Sequence, residues 1–162
     1  MTRALVLADT HIRQGSRRRL PASVYAELER ADVILHAGDL VVHDVLDDLG
    51  RFGPLHAVLG NNDVGLSGML PTSLVLDIDG VKLGMTHDSG PAPGRAGRLK
   101  RRFPDAAVVV FGHSHIPWNE AGVEGQLLFN PGSPTERRGQ PRHTFGLLTV
   151  EGGRVTAEIR PA

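Results

Sequence analysis

Short apolar runs that end in metal-binding residue types constrain the fold of this chain more than any other feature. The clearest run is Val33 to Leu35, which leads through His36-Ala37-Gly38 to Asp39. Apolar runs of this length are typical of buried parallel strands. In open α/β sheets, functional side chains collect where such strands end. We therefore expect Asp39 to lie at a functional site.

Four other strand-like runs end in the same way. They lead to Asp9 and His11, to Asn61, to His87, and to His113 and His115. Alternation along an extended chain would put Asp9 and His11 on one side, and His113 and His115 have the same spacing. A single Asp-x-His is a weak signal. Five strand ends that carry such residues together predict a metal site.

The segments between these strands predict the remaining elements. Helices are expected at about 21–30, 43–49 and 98–103, with a Pro/Gly loop over 90–97. Alternating apolar residues around Asp79-Gly80 predict a hairpin over 72–85, another pair surrounds Gly122, and a hairpin over 145–160 ends the pattern. No repeat or linker divides the 162 residues, so we expect one α/β domain over 1–162.

Charge and composition exclude several function classes. Lys plus Arg and Asp plus Glu both number 18, which argues against general binding of nucleic acid or of an anionic membrane. The chain has no cysteine, so a metal would be held by His, carboxylate and amide groups. No apolar run approaches the roughly 20 residues of a membrane span. A cytoplasmic protein is therefore expected.

Taken together, the motifs resemble those of the calcineurin-like metallophosphoesterase superfamily, and especially its small single-domain phosphodiesterases from bacteria and archaea. The matching motifs are Asp9-Thr10-His11, Gly38-Asp39, Gly60-Asn61-Asn62-Asp63, Thr86-His87, Gly112-His113-Ser114-His115 and Asn130-Pro131-Gly132-Ser133. They occur in the order and at the spacing of the family. The resemblance implies a four-layer α/β/β/α sandwich with a two-metal site along the strand ends.

The resemblance also implies how the ligands divide. Asp9, His11 and His115 would hold one metal, Asn61, His87 and His113 the other, and Asp39 would bridge both. Imidazole, carboxylate and amide donors suit Mn, Fe, Zn, Co or Ni and do not suit Ca or Cu(I), with Mn the expected ion. After two carboxylates and a bridging hydroxide are counted, two divalent ions leave a charge of about +1, which would attract a phosphodiester.

The implied activity is hydrolysis of a small phosphodiester by a hydroxide that two metals activate. Asp39, Asn62 and Asp63 are the candidate catalytic residues, and Asn62 and Arg142 the candidate substrate contacts. Many family members have histidine where this chain has Asn62. Asparagine donates a hydrogen bond but cannot release a proton near neutral pH. We therefore expect the fastest hydrolysis for diesters with acidic leaving groups.

Several alternatives stay open at this point. The retromer's metallophosphoesterase-like subunit has this fold and serves as an interaction scaffold, and a third option is a binding domain with one metal or none. Asp88 is either a partner that orients a ligand histidine or a loop aspartate. For His36 and His143 we favour structural or surface roles. The strands of the terminal hairpin could pair between subunits as a homo-oligomer.

Overall fold

The computed structural model covers residues 1–162 and contains ten strands and three α-helices. The strands are β1 (Thr2–Leu7), β2 (Val33–His36), β3 (Leu55–Ala57), β4 (Ser73–Ile78), β5 (Val81–Thr86), β6 (Val108–Val110), β7 (Trp118–Ala121), β8 (Leu127–Asn130), β9 (Thr144–Glu151) and β10 (Arg154–Pro161). The helices are α1 (Ala22–Leu28), α2 (His43–Gly50) and α3 (Arg95–Arg102). None of these helices has the length and apolar character that crossing a bilayer requires.

The strands form two five-stranded sheets. The first has the order β10-β9-β1-β2-β3, and the second has the order β4-β5-β6-β8-β7. Strands β1, β2 and β3 are parallel to one another, as are β5, β6 and β8. Each sheet therefore gathers the carboxyl ends of three strands at one edge. Strand β10 is an edge strand of the first sheet, and its pairing between subunits stays a prediction.

Three buried clusters show how the layers stack. Alternate residues of β1 point to opposite faces of the first sheet: Val6 packs between the two sheets, whereas Leu5 packs towards α1 and α2. On the far side, Leu99 of α3 packs against Val109 of the second sheet and against Phe111, which follows β6. The order of layers is therefore helix, sheet, sheet, helix, which confirms the predicted α/β/β/α sandwich.

Helix α3 begins earlier than the sequence pattern indicated. It starts at Arg95, so the prediction of a loop through Gly97 is wrong for its last three residues. The guanidinium of Arg95 lies 4.9 Å from the ring centroids of both Phe111 and Trp118. This tertiary contact fixes the first turn and outweighs the poor helix propensity of Gly97.

Candidate metal centre

All seven candidate metal ligands lie at the edge where the parallel strands of both sheets end. Asp9 and His11 follow β1, Asp39 follows β2, Asn61 follows β3, His87 follows β5, and His113 and His115 follow β6. The two sheets pack face to face, so their carboxyl edges meet. One site is thereby assembled from five separate loops.

Three buried residues form the first half-site, namely Asp9, His11 and His115. Asp9 Oδ1 lies 3.9 Å from His11 Nε2 and 3.6 Å from His115 Nε2, and the two ring nitrogens are 3.3 Å apart. Their exposed fractions are 0 %, 7 % and 1 %. Three potential ligand atoms therefore converge on one point that water barely reaches.

The second half-site consists of Asn61, His87 and His113. Asn61 Oδ1 lies 2.9 Å from His87 Nε2 and 3.1 Å from His113 Nδ1. His87 is buried, but His113 is half-buried and Asn61 is exposed. This half of the site faces solvent.

Asp39 lies between the two half-sites. Its Oδ2 is 3.3 Å from His11 Nε2 and 3.4 Å from His87 Nε2, so one oxygen reaches a ligand of each half. Asp9 has a similar reach, because its Oδ1 is also 3.9 Å from His87 Nε2. The family resemblance implied Asp39 as the bridge; in the structure both buried carboxylates stand between the halves.

The ligand loops owe their geometry to an unusual backbone. Five of the candidate ligands have positive φ, between 45° for His11 and 70° for His113, the other three being Asp9, Asp39 and His115. Strands β1 and β6 end before these residues, so the expected strand alternation does not position them. His113 and His115 instead turn into different half-sites. Each left-handed residue costs about 1–2 kcal/mol, and Asp and His adopt this conformation more readily than most residues.

The buried carboxylate of Asp63 holds two of these loops together. It accepts hydrogen bonds from the backbone N–H groups of Asp39 at 2.8 Å, Val41 at 2.6 Å and Gly60 at 2.8 Å. Gly60 must be glycine, because an added Cβ would lie 2.2 Å from Asp39 Oδ1. Asp63 was a predicted catalytic residue, and its contacts make it a residue that positions Asp39.

Asn62 also holds Asp39. Its backbone N–H donates to Asp39 Oδ1 and its side-chain Nδ2 donates to Asp39 Oδ2, both at 2.8 Å. The side chain is otherwise exposed at the mouth of the site. Asn62 therefore orients the shared carboxylate while remaining accessible to a bound molecule.

Backbone carbonyls orient two of the ligand histidines. His87 Nδ1 donates to the carbonyl oxygen of Ala37 at 2.7 Å, and His115 Nδ1 donates to that of Glu136. Each contact leaves Nε2 directed at the site, as is usual for metal-binding histidine. Sequence reasoning missed Glu136, because a backbone acceptor can be supplied by any residue type.

His36 has a structural role beneath the site. Its Nδ1 accepts the backbone N–H of Gly38 at 3.2 Å, and its Nε2 lies 3.1 Å from Thr10 Oγ1. Complete burial lowers the pKa of His36 to about 3, so the ring is neutral. A neutral ring that accepts on one side and donates on the other supports the turn into Asp39.

The charges of the centre are strongly perturbed. Burial raises the pKa of Asp9 to about 7. Burial acts in the same direction on Asp39, but hydrogen bonds from His87 and Asn62 outweigh it and hold the pKa of that carboxyl well below its usual range. Burial opposes a charge on His87, yet contact with Asp39 and the charge of Asp9 raise its pKa. In the chain without metal, the two carboxylates therefore favour the protonated form of His87.

These observations test whether the residues fit a metal pair. Asp9 Oδ2 is buried and has no hydrogen-bond partner, which is costly for a carboxylate. Around it, imidazole nitrogens and carboxylate and amide oxygens point into a shared space. A divalent cation would supply the missing partner, and the donor types are those that transition ions prefer. The residues therefore fit two divalent ions.

A polar pocket of about 390 Å³ opens beside the first half-site, and we call it the arginine pocket. Its lining is His11, Arg13, Ser16, Arg18, Asn62, Glu136 and Arg138. Arg18 pairs with Glu136 at 3.0 Å, whereas Arg138 donates to the backbone oxygen of His113 at 3.4 Å. The pocket contains no apolar side chain and suits an anion.

The predicted substrate contact Arg142 does not line this pocket. It is exposed on the loop between β8 and β9, as is Arg138, which does line it. No sequence signal distinguishes these two arginines. A further pocket, of about 350 Å³, lies at the second half-site, and its lining includes Asp88 and Arg102. His143 lines neither this pocket nor the arginine pocket.

Asp88 lies beside the second half-site. Its Oδ2 is 3.9 Å from His113 Nε2, and its Oδ1 accepts the backbone N–H of Gly90 at 2.8 Å. The carboxylate is largely exposed. Both interpretations of Asp88 therefore have a contact in the structure, a weak one to the ligand histidine and a short one within its own loop.

Comparison with known proteins identifies close relatives. Residues 2–153 match the model of the calcineurin-like phosphoesterase superfamily domain. A probable metallophosphoesterase of Methanocaldococcus jannaschii is 36% identical, covering 90% of this chain and 74% of the relative. One of Methanothermobacter thermautotrophicus is 31% identical, covering 95% of this chain and 89% of the relative.

Solved structures with more distant sequences share the fold. Vps29 of Entamoeba histolytica in complex with Zn²⁺ is 23% identical and covers 98% of both chains, with a TM-score of 0.76. A structure described as a novel archaeal phosphodiesterase is 20% identical and covers 98% of this chain and 99% of that one, with a TM-score of 0.73. The match over residues 2–153 and the two archaeal relatives establish that this chain belongs to the calcineurin-like phosphoesterase superfamily.

Proposed function

We propose that this protein is a metal-dependent phosphodiesterase that hydrolyses small phosphodiesters. One observation carries the proposal: Asp39 Oδ2 stands 3.3–3.4 Å from a histidine of each half-site, beside a pocket lined by three arginines. A shared carboxylate suits two neighbouring cations, and the arginines suit a phosphate anion. The structural similarity to an archaeal phosphodiesterase supports the same activity.

Two divalent ions would be held by Asp9, His11 and His115 and by Asn61, His87 and His113, with Asp39 between them. When bound, such a pair supplies Lewis acidity and activates water for attack on phosphorus. Mn²⁺ is the ion we propose, and Fe, Zn, Ni and Co suit the same donors. Zn²⁺ is the ion in the complex of the similar Vps29.

The arginine pocket would bind the phosphate oxygens. Arg18 is already paired with Glu136, so Arg13 and Arg138 supply the less compensated positive charges. Their guanidinium groups would neutralise charge on the nonbridging oxygens of the diester. Asn62 Nδ2 lies at the same mouth and can donate a hydrogen bond to an ester oxygen.

The pocket offers no side chain that is ready to protonate a leaving group. Burial opposes ionisation of Glu136, but His11 and Arg18 outweigh it and lower the pKa of this carboxyl, so it is ionised near neutral pH. Asn62 cannot release a proton in that range. We therefore expect bis-p-nitrophenyl phosphate to react much faster than a dialkyl phosphate.

The activity is tested by hydrolysis of bis-p-nitrophenyl phosphate with and without added Mn²⁺. We expect turnover that needs the metal and that is lost in Asp39→Asn and in His113→Ala. Elemental analysis of the same samples should give close to two ions per wild-type chain. Turnover that survives both substitutions would come from a contaminant and would contradict the proposal.

The expected lack of a general acid can be tested separately. Asn62→His should increase turnover of a methyl phenyl phosphate more than that of bis-p-nitrophenyl phosphate, because only the poorer leaving group needs a proton. An equal effect on both substrates would show that position 62 does not deliver a proton. Asn62→Gln keeps the amide and is the matched control.

The second candidate is an interaction scaffold without catalysis. It is favoured by the structural similarity to Vps29, which extends over nearly the whole of both chains. All seven ligand residues are nevertheless present here, and a scaffold has no chemical need for them. A chain that binds two ions but hydrolyses neither diesters nor monoesters would support the scaffold instead.

A further inference from the structure

A second cavity, of about 430 Å³, lies next to the arginine pocket, and we call it the side cavity. Helices α1 and α2 and the loop that follows His11 enclose it. Its floor is apolar and includes Ile12, Leu20, Val45 and Leu49. Its volume falls within the roughly 300–1,000 Å³ of small-molecule sites. None of the seven metal ligands lines it.

The side cavity and the metal centre share a wall. Arg13 and Ser16 line both the side cavity and the arginine pocket. The ligand His11 faces the arginine pocket, and the next residue, Ile12, faces the side cavity. A molecule held by its phosphate at the metal centre can therefore place a substituent in the side cavity.

The segment Val41-Val42 also connects the metal centre with the side cavity. Ile12 forms a β-bridge with Val41, and the N–H of Val41 donates to Asp63 at 2.6 Å. Val41 has a φ of 85°, which is strained for a β-branched residue. Val42 follows and lines the side cavity. The carboxylate that positions Asp39 thus also fixes a wall of the side cavity.

The chemistry of the lining indicates what the side cavity binds. Tyr25 and the aliphatic floor offer apolar surface to a flat ring, and the tyrosine is 36% exposed. Asp48 is paired with Arg51 at 3.4 Å, whereas Arg17 and Asp44 have no salt-bridge partner. The rim therefore offers both free donors and a free acceptor.

A nucleobase matches this combination. Its faces are apolar and its edge carries both acceptors and donors, which arginine and aspartate side chains recognise. A fatty acyl chain would leave the charged rim unused. We propose that the side cavity binds the nucleoside part of a nucleotide phosphodiester while the metal centre and arginine pocket hold its phosphate. This rests on the proposed phosphodiesterase activity.

The first experiment compares two substrates with the same leaving group on the Mn²⁺-loaded protein. Thymidine 5′-(p-nitrophenyl phosphate) carries a nucleoside, and methyl p-nitrophenyl phosphate does not. We expect kcat/KM to be about tenfold or more higher for the nucleoside ester, mainly through a lower KM. Equal values for the two esters would overturn the inference, as would a faster reaction of octyl p-nitrophenyl phosphate.

Variants locate the preference in the side cavity. Tyr25→Ala and Asp44→Asn should each lower kcat/KM for the nucleoside ester about fivefold, as expected for loss of one contact, and leave the methyl ester unchanged. Asp47→Asn is the matched control, because Asp47 lies on the same helix and pairs with His43 outside the cavity. An equal loss in Asp47→Asn would contradict the assignment.

A binding experiment without catalysis separates this inference from the proposed function. Thymidine added to chelator-treated protein should shift the NMR signals of Ile12, Val42 and Val45, and Tyr25→Ala should weaken this binding. If the methyl ester is hydrolysed but thymidine does not bind and gives no preference, the side-cavity inference fails and the phosphodiesterase stands. If neither ester is hydrolysed, the phosphodiesterase fails, and shifts on adding thymidine would still support the nucleoside site.

Discussion

The two half-sites contribute three ligands each and differ in how firmly the protein holds them. In the first, Asp9, His11 and His115 are all buried, and His115 is fixed by the backbone of Glu136. In the second, His87 is also buried and oriented by a backbone carbonyl, but Asn61 is exposed and His113 is half-buried. Buried, oriented donors are costly to leave without a cation, whereas exposed donors are satisfied by water. We therefore expect a firmly held ion in the first half-site and an exchangeable ion in the second.

Removing one histidine from each half-site tests this difference most directly. His115→Ala should lower the affinity of the tighter site for Mn²⁺ on the order of 100-fold, because it deletes a preorganised ligand. His113→Ala should abolish the weaker site and leave one tightly bound ion. Equilibrium dialysis against Mn²⁺, followed by elemental analysis, measures both. If the wild type bound both ions with equal affinity, the expected difference between the half-sites would be contradicted.

Removing the metal should lower the free energy of unfolding, mainly through loss of the ion in the first half-site. An ion present at about 100 times its dissociation constant stabilises the fold by about 2.7 kcal/mol, which a chelator would remove. In Asp9→Asn the chelator should lower the free energy of unfolding by less, because the substitution deletes the buried charge that a cation compensates. Asn61→Ala, at the exposed half-site, is the matched control and should retain most of the effect of the chelator on the free energy of unfolding. The free energy of unfolding from urea titrations, with and without chelator, decides between them.

The candidate ligands could be predicted from the sequence because they follow apolar strands, and the four layers were implied by the resemblance to the superfamily. The apolar run Val33 to Leu35 predicts a buried strand, and Asp39 follows at its end. The route of the chain after the strands was not predictable. The positive φ of Asp9 and His11 arises from hydrogen bonds to distant loops, such as that between the Asp9 N–H and the Gly38 carbonyl.

Contacts made by loops were equally hidden. Arg138 and Arg142 lie four residues apart in one polar loop, and nothing in their neighbours shows which one lines the pocket. Asp63 was predicted to be catalytic, because its three backbone partners cannot be identified before the loops after β2 and β3 are placed. Helix α3 shows the same limit, since Arg95 begins it only because two aromatic rings from elsewhere flank its guanidinium.

The pocket at the first half-site has three arginines, whereas that at the second has only Arg102 beside Asp88, and substitution can sharpen that contrast. Arg138→Ala should raise KM for bis-p-nitrophenyl phosphate about tenfold with a smaller change in kcat, because it removes a charge-assisted contact to the substrate. Arg142→Ala, on the same loop, should have little effect. Steady-state kinetics on the Mn²⁺-loaded variants measures this, and the reverse order would restore Arg142 as the substrate contact.

The smallest expected effect concerns how each half-site orients a histidine. His115 is held by a backbone carbonyl in a nearly inaccessible place, whereas the nearest carboxylate to His113 is Asp88, at 3.9 Å and largely exposed. An exposed pair of this kind contributes little, because water and salt screen it. Asp88→Asn should therefore change kcat/KM and the affinity of the weaker metal site by less than about threefold. A larger change that increases at low ionic strength would show that Asp88 orients His113, and the two half-sites would then be organised alike.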